Sequence, residues 1–291
     1  MISPLLREST EIESAAAKLA LIRPAYQSIL GFYGPVFMAQ ADAALQTRPP
    51  DIQVDELLLD MKSEEGFSII EPSAFSVDVP AAQSLLLEIC HIAAASGEKL
   101  AGAGKALARS MDAGLALSDL FSAVLDQSGR IDALAEELNV PPDMLSLLLY
   151  LAMRPSIEAG SRKLVGRLTD DQKNRRNCPI CGSAPILGEL DEAGRHWLHC
   201  SLCWHRWPSR RMGCAWCGDR DGESLHYVYS DDEPEYRVNL CAACKHYLKV
   251  VDTRKLDRGF YPPLEQVVSL HLDMIAAEKG YTHLTIKPPT R

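Results

Sequence analysis

The chain contains no long apolar run. A membrane-spanning helix needs ~18–20 consecutive apolar residues, and the longest candidate, Met144 to Met153, falls short. The opening segment, MISPLLRESTEIESAAAKLA, has no basic start followed by an apolar stretch, and Glu8 and Glu11 stand where a secretory signal would be apolar. The expectation is a cytoplasmic, unprocessed chain with no membrane partner. Basic residues are in deficit, 30 Lys and Arg against 39 Asp and Glu, for a formal net charge of −9. The deficit lies in the first part: residues 1–169 hold 13 basic and 22 acidic side chains, and the remainder is balanced. An acidic surface repels polyanions, so no nucleic-acid partner is expected. Neither a nucleotide-binding loop nor a catalytic triad pattern is found. Before residue 178 cysteine is nearly missing, with Cys90 alone.

What is present is ordinary for a globular protein, with 47% hydrophobic and 24% charged residues, which excludes wholesale disorder. Two hundred and ninety-one residues exceed one comfortable core, so two or three units are expected. Up to about residue 170, Ala and Leu dominate and apolar positions recur at helical spacing. One helix is predicted from Ile12 to Leu45, broken or kinked near Pro24 and Pro35, because each proline removes a backbone donor. Further helices are predicted near Val54–Met61, from Pro80 through Ala93, over Ser118–Leu125, around Ile131 to Leu138, and from Pro141-Pro142 onward. Pro155 is expected to interrupt the last of these, leaving a final helix from Ile157 to Leu168. The segment DDQKNRRN then reads as a linker. His196–His199 and Leu225–Tyr229 alternate as strands do. A helix returns from Leu264 to Glu278, ended by Gly280, before a loose tail.

Eight cysteines lie between residues 178 and 244 as four Cys-x-x-Cys pairs: Cys178/Cys181, Cys200/Cys203, Cys214/Cys217 and Cys241/Cys244. The intervals between pairs are 18, 10 and 23 residues. The long intervals can hold a β-hairpin between two metal knuckles, and the short one reads as a connector. The first four cysteines are therefore assigned to one ion and the last four to another. Two residues between cysteines let both sulfurs reach a tetrahedral ion at ~2.3 Å. The knuckle also wants a residue tolerant of positive φ after its second cysteine, and Gly182 and Gly218 stand there. Each module is too small to fold on apolar burial alone, so the ion should contribute folding free energy on the order of 10 kcal/mol. In a chain without a signal peptide, disulfides are the weaker reading. Four sulfurs leave no open position, which favours a structural metal over a catalytic one. The run Cys178-Pro179-Ile180-Cys181-Gly182 also resembles a rubredoxin knuckle, whose iron passes one electron.

The predicted fold class is thus α+β: an N-terminal all-α domain (1–169), two tandem rubredoxin-like or zinc-ribbon modules (170–210 and 211–252), and a C-terminal helix and tail (253–291). No catalytic residue is assigned. Cys90-His91 reads as core packing. His196, His199 and His205 could serve as surrogate ligands, but the cysteines already complete two sites. The tryptophans read as filler around the metals, with Trp204 a candidate contact surface. Arg206, Arg210 and Arg211 lie between the modules and either hold an acidic partner or offset the negative metal–thiolate clusters.

The runs CPICGSAP, HCSLCWHRW, RRMGCAWCG and CAACKHYLKVVD together resemble the formate dehydrogenase accessory protein family of bacteria. LLLYLAMRPSIEAGSRKL and LEQVVSLHLDMIAAEKGY resemble the family's proline-interrupted helical segment and closing helix, so the resemblance covers roughly residues 130–283. It implies a cytoplasmic maturation factor, not an enzyme, required for active molybdenum or tungsten formate dehydrogenases. Its implied partner is their catalytic subunit, met before twin-arginine export. It implies two metal ions, iron with zinc as the alternative. By carry-over, Cys178, Cys181, Cys200 and Cys203 hold the first, and Cys214, Cys217, Cys241 and Cys244 the second. Two other readings compete: a one-electron transfer protein, and a nucleic-acid-binding zinc ribbon motivated by the Arg206–Arg211 cluster.

Overall fold

The computed structural model describes residues 8–168, 175–210 and 213–283. They divide into two compact units. The first comprises 8–53 and 72–163 and is helical. The second comprises 54–71 with the described residues from 164 onward, and contains every strand. The expected α+β fold, helices first and a sheet-bearing cysteine region after, is what the chain adopts.

In the helical unit, α1 (Ser9–Ile22) ends at Arg23, and Pro24–Tyr26 forms a 3-10 turn before α2 (Gln27–Gln46). Pro24 therefore breaks the predicted long helix, whereas Pro35 stays inside α2. The short helix predicted near Val54 is α3 (Glu56–Glu64), which belongs to the other unit. Next come α4 (Val79–Ala94), α5 (Glu98–Asp112), α6 (Leu117–Asp126), α7 (Arg130–Leu138) and α8 (Pro142–Leu164). The Asp78 carboxylate caps α4 by accepting from the Ala81 N–H. No sequence expectation covered α5, whose glycines weaken the helical pattern. Gly104 explains itself in three dimensions: a Cβ there would lie 3.0 Å from the Ala93 Cβ and 3.1 Å from the Cys90 carbonyl. The close crossing of α4 and α5 buries Cys90, and burial pushes its thiol up to about 11. It is packing material, not a nucleophile.

Helix α8 corrects one expectation. It runs unbroken through Pro155. A proline there cannot donate to the Leu151 carbonyl four residues back. The Gln40 side-chain amide donates to that carbonyl instead, at 2.6 Å, while its oxygen accepts from Arg154 at 3.0 Å. Arg154 is held in turn by Glu158 at 2.6 Å. All three side chains are buried and satisfied within the helical unit.

The second unit is built on one six-stranded sheet in the order β3-β2-β1-β6-β5-β4. The strands are β1 (Pro185–Leu190), β2 (His196–Cys200), β3 (Arg206–Ser209), β4 (Leu225–Tyr229), β5 (Tyr236–Cys241) and β6 (Tyr247–Asp252). Each module supplies an antiparallel meander, β1-β2-β3 or β4-β5-β6. A parallel pairing of β1 with β6 joins them, with Leu187 opposite Lys249 and Leu190 opposite Asp252. The tandem modules are therefore halves of a continuous sheet. The C-terminal helix is two pieces, α9 (Pro262–Val268) and α10 (Leu270–Glu278), separated at Ser269. Lys249 of β6 reaches both, donating to the Gln266 carbonyl at 3.0 Å and to the Asp273 carboxylate at 2.7 Å.

Residues 54–71 were expected among the N-terminal helices, yet they pack with the cysteine region. In a Cys-x-x-Cys turn the amides face the sulfurs, so the intervening carbonyls face outward and need donors. The Ile69 and Ile70 N–H groups supply them, donating to the Pro179 and Ile180 carbonyls at 3.0 and 2.9 Å. The linker segment and the tail lie largely outside the described residues.

Candidate metal centres

All four knuckles share one backbone plan. The N–H of each first cysteine donates to the carbonyl five residues on: Cys178 to Ser183 at 2.8 Å, Cys200 to His205 at 3.0 Å, Cys214 to Asp219 at 2.7 Å and Cys241 to His246 at 3.0 Å. The residue after each second cysteine has positive φ: Gly182 at 74°, Trp204 at 55°, Gly218 at 76° and Lys245 at 59°. Glycine was the expected solution at two of these places. Trp204 and Lys245 adopt the same conformation with a Cβ, at a cost of roughly 1–2 kcal/mol each, because the knuckle demands it.

The plan brings the eight sulfurs together as two quartets. Within each, the sulfurs lie within 4.8 Å of one another. In the first, Cys178 and Cys203 are separated by 3.6 Å, Cys181 and Cys200 by 3.5 Å, and Cys181 and Cys203 by 3.6 Å. In the second, Cys214 and Cys244 are 3.6 Å apart and Cys217 and Cys241 are 3.7 Å apart. A tetrahedral ion with ~2.3 Å bonds places its sulfurs about 3.8 Å apart, so both quartets fit one. None of the sulfurs forms a disulfide. Backbone amides already point at them: Leu202 and Cys203 N–H donate to the Cys200 sulfur at 3.4 Å each, and Trp216 N–H to the Cys214 sulfur at 3.4 Å. Each quartet can hold a metal ion.

The two differ in depth. Cys178, Cys181, Cys200 and Cys203 are at most 1% exposed, whereas Cys217 and Cys244 are only half-buried. Burial pushes the Cys178 and Cys203 thiols well up, while hydrogen bonds from Cys178, Cys200 and Cys203 pull Cys181 down. A metal ion bound there would make thiolates of all four.

The other singled-out residues separate. His196 and His205 are pushed down to about 4 by burial and join neither quartet. His199 is fully buried, its Nε2 2.8 Å from the Glu189 carboxylate. Arg206 bonds to the same carboxylate at 2.6 Å, and its guanidinium lies 3.9 Å over the Trp197 ring. Trp204 corrects a further expectation: at 5% exposure its indole offers little surface to a partner, since the knuckle turns it inward. Arg210 is exposed, and Arg211 lies outside the described residues. The sequence reading passed over Arg175, Arg176 and Arg220, which line one cavity with Arg210. Only their shared charge could have flagged them, because they are up to 45 residues apart in sequence.

No protein-family model matches the chain. The chain is 31% identical over 149 residues to a protein named FdhE homolog from Aquifex aeolicus, a match covering 50% of this chain and 52% of that protein. Another FdhE homolog, from Haemophilus ducreyi, is 31% identical over 152 residues, covering 51% and 49%. The chain spans about half the length of the curated relatives it matches. In fold it is similar to the crystal structure of the FdhE protein from Pseudomonas aeruginosa, with a TM-score of 0.70 and 23% identity, over 97% of this chain and 94% of that one. The two relatives bear the same name, and the solved structure shares the fold of this chain. Among the described residues, no helix is long and apolar enough to cross a membrane.

Proposed function

We propose that the chain is a cytoplasmic accessory protein for a molybdenum or tungsten formate dehydrogenase, docking the immature catalytic subunit before export. The observation that carries this reading is the pair of closed four-sulfur quartets built into a continuous sheet. A quartet that fills every position of a tetrahedral ion leaves none for substrate, so the ions shape a recognition platform rather than a catalytic centre. Cys178, Cys181, Cys200 and Cys203 hold one ion in this reading, and Cys214, Cys217, Cys241 and Cys244 hold the other. Iron is the preferred ion and zinc the alternative, because tetrahedral sulfur suits both. Bound there, the ions would supply cross-linking and, if iron, one-electron exchange. The chain's own residues supply the platform: the knuckle amides aim the sulfurs, and Lys249 ties α9 and α10 to β6.

The cysteine motifs and the likeness to proteins named FdhE homolog both support this reading. The test is a pull-down of a formate dehydrogenase catalytic subunit together with a deletion strain. Capture of the subunit and loss of formate dehydrogenase activity are expected. Full activity in the deletion strain would end the proposal.

The half-exposed sulfurs of Cys217 and Cys244 favour one second reading, electron transfer through the second quartet. It requires a visible ferric–thiolate band and reversible reduction. Anaerobically prepared, colourless protein that holds only zinc, from a host supplied with iron, excludes it.

A further inference from the structure

Beside the second quartet lies a cavity of about 190 Å³ whose charged lining is Arg175, Arg176, Arg210 and Arg220. The arginines come from three chain segments: the approach to the first knuckle, the end of β3, and the start of the second module. Among the described residues, no carboxylate lines the cavity. We propose that this cleft binds the phosphoryl group of a small molecule, a function separate from the metal quartets and independent of the accessory-protein reading.

Three observations carry it. First, part of the cleft is held in place before any ligand arrives. Arg175 donates through Nη1 to the Phe67 carbonyl at 2.6 Å, and its own carbonyl accepts from the Trp207 indole at 3.0 Å. Arg176 lies flat on the second-module knuckle: a Cβ on Gly218 would come within 2.8 Å of its Nη2. Gly218 thus serves two ends, the positive φ of the turn and room for a guanidinium. Second, the second-quartet sulfurs Cys214 and Cys217 take N–H hydrogen bonds from the backbone rather than from these arginines. The Trp216 and Cys217 backbone amides serve the Cys214 sulfur and the Asp219 amide serves Cys217, and among the described residues no guanidinium hydrogen-bonds to a second-quartet sulfur. Third, the geometry selects among anions. Guanidinium forks from several directions suit a tetrahedral dianion, which presents oxygens all round. A carboxylate presents two oxygens in one plane and one charge, leaving most of the cleft unneutralised.

The test is calorimetric titration of the purified full-length chain with inorganic phosphate, pyrophosphate, glycerol phosphate and acetate, at constant ionic strength in chloride. Saturable binding of the phosphates is expected, and the tightest of the three identifies the source as free phosphate, a diphosphate or a monoester. R176A and R210A, both at exposed positions, should each weaken binding about tenfold or more. R176K should fall between R176A and the parent, since it keeps the charge and loses the fork. R195A, at an exposed position in the turn between β1 and β2, should leave affinity unchanged. Absence of phosphate binding, acetate binding as tight as phosphate, or full affinity in R176A and R210A would each overturn the proposal.

Discussion

Gly188 of β1 stands in register with Val250 of β6, and a Cβ on Gly188 would lie only 2.9 Å from a Val250 methyl and 3.0 Å from His196 Nε2. This pair sits in the parallel seam that makes one sheet of two metal modules. Its backbone φ is not the left-handed kind, so the glycine is there for space.

Gly188→Val should therefore open the seam. Overpacking of a tight contact costs roughly 1–3 kcal/mol. The expected result is a lower denaturant midpoint for the sheet signal, followed by tryptophan fluorescence, because all four tryptophans lie in the sheet-bearing unit. An unchanged midpoint would show that the seam tolerates a branched side chain.

Cys178→Ala and Cys241→Ala should each lower the metal content from two ions per chain to one by elemental analysis. Loss of the ion removes the free energy that holds that module together. The far-UV helical signal should persist, because the helices α4 to α8 bury their apolar faces in the other unit. Collapse of helical signal in either variant would contradict separate cores.

Chelator should strip the two ions at different rates. The first quartet is sealed, whereas Cys217 and Cys244 are half-exposed, so the second ion should leave first and release should be biphasic. Acid should act in the same direction, since the ligands must be thiolates and protons compete for them. A single kinetic phase would mean that exposure does not control access.

Gln40→Ala should destabilise the helical unit by about 2–3 kcal/mol, because it leaves the Leu151 carbonyl and an Arg154 N–H buried without their partner. Pro155→Ala restores an N–H able to reach the Leu151 carbonyl. In that background the Gln40→Ala penalty should shrink by about 1 kcal/mol, a coupling that a double-mutant cycle of unfolding free energies measures. Additive penalties would mean that Gln40 does not stand in for the missing amide.

His196 makes stability depend on pH. Burial first, then the charge of Arg237, pushes it down to about 4, while Glu189 opposes and His199 adds to the depression. The unfolded chain, with an ordinary imidazole near ~6.5, binds the proton more readily between those values. The sheet should be fully stabilised above ~6.5 and lose up to ~1.4 kcal/mol per pH unit as pH falls toward 4. His196→Asn should flatten that slope in urea titrations. An identical slope would assign the effect to other groups.

Much of the metal region was legible in advance because its information is local. The interval lengths between cysteine pairs sorted the sulfurs into the quartets that the structure assembles. Gly182 and Gly218 announced the positive φ of two knuckles, although Trp204 and Lys245, doing the same, gave no signal. Leu225–Tyr229 declared itself as a strand by alternation, and α5 stayed hidden because its two glycines blur the apolar stripe. Pro155 misled, because the rule that proline ends a helix assumes that nobody else serves the orphaned carbonyl.

By itself, the amino-acid sequence determined which atoms would grip an ion, since a knuckle needs only a few neighbouring residues and their allowed torsions. Tertiary structure alone decided that β1 would pair with β6, that Ile69 and Ile70 would serve the carbonyls of a distant turn, and that four scattered arginines would face one cleft. Those outcomes depend on long-range register and on burial competed for by the whole chain, and no local spacing encodes them.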